Sequence, residues 1–220
     1  MKPLVIMGAT AVPEMIDLIR AINEAQPTFE LYAILDDNPE LANSTIEGIP
    51  VTGGLDSHTD HPGAQILFTI GNHESRFTRR AILDRLALPD ERYATLIHPA
   101  SNVYQSASIG AGSIIHFGAV VANGAKLGRW VEVLWNSIIG ANATLEDGVK
   151  VASNVTTNSG VRAERFSYLA AASAIAEEVT IGAGAVVGMG SIVTRNVEPG
   201  AFVFGNPPRV LKKDQLPDGF

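Results

Sequence analysis

From Val103 onward an apolar residue returns at every sixth position, with no insertion to break the count. The series runs through Ile109, Ile115, Val121, Leu127, Val133, Ile139, Leu145 and Val151, and continues to Val193. Fourteen of its sixteen members are Val, Ile or Leu, the exceptions being Thr157 and Ala163. Two places earlier the occupant is usually small, as at Ala107, Ser113, Ala119, Ala125, Val131, Ser137 and Ala143. A helix repeats about every 3.6 residues and a strand every 2, so neither produces a strict six. A chain that turns a corner every six residues does. Bulky side chains then fill a prism, and small ones let the backbone bend. Three faces make one coil of about eighteen residues, and successive coils stack about 4.8 Å apart. Unrelated strands would not hold one register from Val103 to Val193. The predicted element is a parallel β-helix.

Before residue 96 the pattern is different. "PLVIMG" is an apolar run ending in Gly8, and it reads as a first strand rather than a signal peptide. In "VPEMIDLIRAINEA", Met15, Ile16, Ile19 and Ile22 keep helical spacing, with Pro13 in the first turn. "ELYAILDD" and "AQILFTIGN" read as further strands, and "ESRFTRRAILDRLA" as a second helix. This alternation predicts a small parallel, Rossmann-like sheet with a crevice at its strand ends. Gly8, Asp36, Asp37, Gly71 and Asn72 fall there. They could hold a nucleotide, or they could be turn glycines and a solvated carboxylate pair; the alternation leaves both open. The expected domains are 1–95, 96–205 for the β-helix, and a tail over 206–220.

The totals exclude several classes. A net charge of −7 without a basic cluster gives no footprint for nucleic acid. No apolar run is long enough to span a bilayer, and the absence of cysteine removes disulfides and thiolate metal sites, which favours a cytoplasmic location. His58 and His61 lack carboxylate or cysteine companions, so "LDSHTDHPG" reads as a polar loop and no metal site is expected. Trp130, Leu134 and Trp135 are expected on the outer prism surface, where an apolar set marks contact with another chain.

"IMGA", "AILDD", "EGIPVTGGLD", "TIGNHESR", "TLIHPAS" and "IGAGAVVGMGSIVTRNVEPGAFVFGNPPRVLKK" occur in this order along the chain. Together they resemble the hexapeptide-repeat sugar O- and N-acetyltransferases of the sialic-acid O-acetyltransferase and bacillosamine-type aminosugar N-acetyltransferase group. The resemblance implies a left-handed β-helix, a handedness that runs against the usual crossover rule. It also implies a homotrimer with acyl-CoA sites between subunits and a nucleotide sugar held by the N-terminal domain. Acetyl-CoA or another acyl-CoA would lie against Ser159, Met189 and Gly190, beneath the loop of Asn206, Pro207 and Arg209. Arg209 and Lys212 would meet its phosphates. His98, in "IHPAS", would be part of the turn into the β-helix. His73 falls beside the crevice as a surface group or a sugar contact.

One stretch departs from the group. Its donor-orienting asparagine, its basic histidine, the adjacent carboxylate and a second histidine correspond here to Leu134, Ala141, Asn142 and Lys150. A positioned base is worth about 10²–10⁴ in rate, so the activity is not carried across unchanged. His116 lies one coil below Leu134 and is expected to face the intersubunit groove, either as a satisfied surface or interface histidine or as the first candidate for a relocated catalytic base. Glu132, Asp147 and Lys150 are weaker candidates. The expected function is acyl-CoA-dependent transfer to a nucleotide-linked or free amino sugar in surface-polysaccharide biosynthesis. The alternatives are a non-catalytic trimeric relative, or a transferase with another acyl donor and a relocated site.

Overall fold

The structure, a computed structural model, describes residues 1–71 and 76–211, without the side chains at 76 and 77. Asn72, His73 and Lys212 lie outside the described residues. The chain forms two units, Met1–Pro99 and Ala100–Phe220.

The first unit is built on β1 (Lys2–Met7), α1 (Val12–Ala25), β2 (Phe29–Leu35), β3 (Thr45–Ile46), β4 (Ile49–Gly53), β5 (Gln65–Phe68) and α2 (Arg76–Leu86). The sheet order is β3-β4-β2-β1-β5, parallel except for the short β3–β4 hairpin. Leu4–Met7, Ala33–Leu35 and Ile66–Phe68 are buried as continuous apolar runs, as central parallel strands are when both faces are covered. Chain order proceeds outward from β1 to β4 and then returns to β5 on the other side. The order therefore reverses between β1 and β5, where open α/β sheets leave a crevice. α1 buries Val12, Met15, Leu18 and Ile19, so its covered face includes Leu18 and leaves Ile16 and Ile22 half-buried. β5 ends at Phe68, short of the predicted run to 72. The "LDSHTDHPG" stretch is not plain loop: Leu55–Asp60 is a 3-10 turn, and His61 sits between Tyr32 Oη at 3.0 Å and Thr52 Oγ1 at 3.3 Å.

The second unit is the β-helix. Two-residue strands form three parallel ladders, and each residue pairs with the one eighteen positions on: Val121 with Ile139, Leu127 with Leu145, Val133 with Val151. The first face runs from Asn102–Val103 to Ile192–Val193 and the second from Ser108–Ile109 to Thr180–Ile181. The third runs from Ile114–Ile115 to Val186–Val187, then gains Phe202–Phe204 and the antiparallel Arg209–Leu211. The six-step residues from Ile115 to Val193 line one buried core. Small residues two places earlier do more than save space. Ser113 Oγ donates to Gly128 O and accepts from Val131 N–H, both at 3.0 Å, which ties adjacent coils together inside the prism.

Each corner needs a left-handed residue, a conformation costly without glycine. At one corner the column reads Gly112, Trp130, Gly148, Phe166, Gly184, all at positive φ, so glycine alternates with an aromatic ring. A Cβ on Gly148 would come within 2.4 Å of the Phe166 ring, so the ring lies in the space that this glycine leaves. Asn136 and Asn142 reach back over Gly118 and Gly124 in the same way. Trp130 is not on the outer surface as expected: it is only 9% exposed, and its ring packs under the Arg129 guanidinium, 4.0 Å from the centroid.

Candidate functional site

At the crevice, the loop after β1 is held from both neighbouring strands. Gly8 adopts φ 106°, and a Cβ there would lie 2.6 Å from Ile70, so only glycine lets the loop approach β5 this closely. Asp36, at the end of β2, accepts the Ala9 N–H at 2.7 Å on Oδ2 and the Asn38 N–H at 2.8 Å on Oδ1. Asp37 is more exposed; its Oδ1 accepts the Leu55 N–H at 2.8 Å, and its Oδ2 lies 4.0 Å from Arg85. Gly71 adopts φ 126° and packs on Arg79, which is buried beside the Phe68 ring. Gly8, Asp36, Asp37 and Gly71 thus gather at the strand ends as predicted, but Asp36 is occupied by backbone donors rather than free. A cavity of about 240 Å³ opens beside the pair, lined by Asn38, Asn43, Thr52, Gly53 and Gly54 among others. That is room for one aromatic base. A larger cavity, about 430 Å³, lies against α1 with Ile16, Ile19, Leu31 and Ile49 in its wall, and contains none of the predicted residues.

On the β-helix, Leu134, Ala141, Asn142 and Lys150 take the places where the resemblance puts catalytic groups. Ala141 lies at the corner between the first and second faces. Asn123, Ala141 and Ser159 follow one another there on successive coils, beside Gly124, Asn142 and Gly160. None of these six side chains titrates; the first carboxylate in the column is that of Glu178, one coil further on, which lies over Gly160.

His116 is on the predicted face, but it does not open onto a groove. It is 2% exposed, with Nε2 3.6 Å from Glu132 Oε1 and its ring edge-on to Trp135 at 5.3 Å. A general base must come within hydrogen-bonding reach of the proton it takes; in the single chain the imidazole is covered, the environment of a buried histidine rather than of an exposed one. What composition could not reveal is the cluster around it. Successive coils of the third face place Glu132, Lys150 and Tyr168 one above another. Lys150 Nζ is 2.7 Å from Glu132 Oε2. Burial works to raise the Glu132 carboxyl, but the Lys150 charge and the hydrogen bonds from His116 and Lys150 outweigh it and bring it from 4.5 down to about 2. Burial, with the Glu132 charge, raises the Tyr168 phenol. Lys150 is therefore the tied partner of a carboxylate. Asp147 is likewise engaged, accepting the Arg129 N–H at 2.9 Å.

The predicted cofactor residues do not form one surface on a single chain. Met189 and Gly190 lie at the corner between the third and first faces, whereas Ser159 lies at the next corner. Asn206, Pro207 and Arg209 belong to the final hairpin, and Pro207 borders a cavity of about 300 Å³ with Thr194, Arg195 and Asn196. The apolar outer surface is real but differently composed. Phe117 (51% exposed), Trp135 (38%) and Met189 (56%) share one corner column, and Ile138 and Ile192 continue it onto the first face.

A small α/β unit followed by a left-handed hexapeptide β-helix is the architecture of the sugar acetyltransferases that the sequence motifs resemble, and solved structures share it across nearly the whole chain. Perosamine N-acetyltransferase from Caulobacter crescentus, as a histidine-to-asparagine variant in complex with CoA and GDP-perosamine, superposes with a TM-score of 0.83 at 22% identity, covering 96% of this chain and 97% of that one. The acetyltransferase domain of PglB from Neisseria gonorrhoeae, in complex with acetyl coenzyme A, gives 0.80 at 24%, over 96% and 99%. In sequence, the chain is 27% identical over 187 residues to GDP-perosamine N-acetyltransferase of Escherichia coli O157:H7, covering 83% of this chain and 84% of that protein. No protein-family model matches. Among the described residues no helix is long and apolar enough to cross a membrane.

Proposed function

We propose that this protein transfers an acetyl group from acetyl-CoA to the amine of a nucleotide-linked amino sugar. The observation that carries the reading is the sequence similarity to GDP-perosamine N-acetyltransferase over 187 residues, more than either unit contains. The Ala141 corner narrows the acceptor. A sugar hydroxyl needs a base to become nucleophilic, whereas an amine with a pKa of about 8 is partly unprotonated near neutrality. The nitrogen attacks the thioester carbonyl, the C–N bond forms, the C–S bond breaks, and the amine's proton leaves to solvent as the CoA thiolate is released. In this reading Gly8, Asp37 and Gly71 border the nucleotide, and acetyl-CoA lies on β-helix surfaces shared between copies in a cytoplasmic homotrimer. Ser159 of one copy and Met189 and Gly190 of another then flank a single CoA, which accounts for their separation on one chain. The product would feed surface-polysaccharide synthesis.

The second reading is a trimeric binding protein without turnover. Leu134, Ala141, Asn142 and Lys150 favour it. That a histidine-to-alanine variant of the Caulobacter crescentus enzyme forms a complex with CoA and GDP-perosamine supports ligand binding without a histidine. Incubation with acetyl-CoA and a GDP-, UDP- or dTDP-linked amino sugar, followed by thiol release and product mass, separates the two. Amide formation with any of these acceptors establishes the first reading. Binding of both ligands with no product establishes the second.

A further inference from the structure

We infer that Asp36 and Thr69 are positioning residues that together clamp the Gly8–Ala9 peptide and so set the shape of the crevice, leaving direct contact with the nucleotide to Asp37. This rests on the reading of the crevice as the nucleotide-sugar site.

Gly8 and Ala9 are buried, so the polar groups of the peptide between them must find partners within the fold. The carbonyl of Gly8 accepts from Thr69 Oγ1 at 2.9 Å, just past the end of β5, a proton shared with the Met7 carbonyl at 3.1 Å. The N–H of Ala9 donates to Asp36 Oδ2 at 2.7 Å, from the β2 side. One peptide unit at the point of strand-order reversal is therefore gripped by two side chains from the two flanking strands. The other Asp36 oxygen is also taken, by the Asn38 N–H at 2.8 Å.

Charge argues for the same division of labour. A free carboxylate beside a diphosphate is repulsive, and one whose oxygens each accept a short backbone hydrogen bond is better satisfied without the ligand. Asp37 differs. Only its Oδ1 is committed to the backbone, its Oδ2 has Arg85 no closer than 4.0 Å, and the residue lines the 240 Å³ cavity. It retains an acceptor for a ribose hydroxyl or a base N–H.

The test is calorimetric titration of the full chain with GDP and UDP, and separately with acetyl-CoA. Asp36→Asn turns one acceptor into a donor against a backbone N–H, and Thr69→Val removes the hydroxyl at nearly constant shape. Each should weaken nucleotide binding about tenfold, the scale of one buried hydrogen bond, while leaving acetyl-CoA affinity within about twofold. Thr69→Ser, which restores the hydroxyl, should recover wild-type affinity. If Asp37→Ala weakens nucleotide binding but Asp36→Asn and Thr69→Val do not, the clamp is wrong and the crevice reading survives. Equal losses for nucleotide and acetyl-CoA in the two variants would reduce the clamp to a general fold contact and overturn it. If wild type binds neither nucleotide, or Asp37→Ala changes nothing, the crevice reading fails and the clamp with it.

Discussion

Glu132 is expected to make the stability of this protein depend on acid in a way that can be removed by one substitution. Its carboxyl stands near 2 instead of 4.5 because Lys150, 2.7 Å away, and His116 hold it ionised against the cost of burial. Exposed ion pairs contribute about 0–1 kcal/mol; this side chain is only 14% exposed. The fall from 4.5 to about 2 corresponds to about 3 kcal/mol of folding free energy. The unfolded carboxyl binds its proton first as pH falls, so the contribution is complete above about pH 5 and disappears between about 4.5 and 2. Glu132→Gln should lower stability at pH 7 by about 3 kcal/mol and flatten that acid limb. Removing one partner of a buried pair costs on this scale because the remaining charge stays buried. The assay is urea unfolding at fixed protein concentration from pH 2.5 to 8, since an oligomer's apparent stability varies with concentration. Lys150→Met alone and combined with Glu132→Gln gives the coupling between the two, expected at 1 kcal/mol or more, about the lower range for a buried contact pair. A Glu132→Gln protein within about 0.5 kcal/mol of wild type at pH 7, with the same acid limb, would refute the reasoning.

Three other outcomes are expected. Gly148→Ala places a methyl group into the Phe166 ring at a left-handed corner and should cost about 2 kcal/mol or more; in the Phe166→Ala background thermal unfolding should show a smaller penalty, and strict additivity would sink the account of that corner. Light scattering should give a trimer at micromolar concentration, and Trp135→Asp with Ile138→Glu should shift it toward monomer; an unchanged trimer would move the interface elsewhere. If the wild type turns over, its kcat/KM should rise with pH up to the acceptor amine's own pKa, with the same profile in His116→Ala, and Ala141→His with Asn142→Glu should add about 10²–10⁴ in rate; loss of a pH limb on removing His116 would restore that residue as the base.

The β-helix was legible because its period is written directly in side-chain volume. A bulky residue every sixth place and a small one two before it fix where the prism turns, so the eighteen-residue ladder and the core followed from Val103–Val193 alone, though not the hand of the coil. The crevice glycines and the Asp36–Asp37 pair were likewise marked by their places at strand ends. Sequence could not say how those groups were used. Whether Asp36 is free or strapped to Ala9 and Asn38 depends on backbone donors that belong to other strands. Whether Trp130 is outside depends on what packs over its ring, here the Arg129 guanidinium. Register placed His116 on the third face, yet its access depended on what covers that face, and Glu132 gained its strong acid character only when stacking brought Lys150 within 2.7 Å. The local pattern determines where the chain turns and which side chains point inward. Burial and charge at the outward positions are sums over neighbours remote in sequence, and only the tertiary structure fixes which neighbours those are.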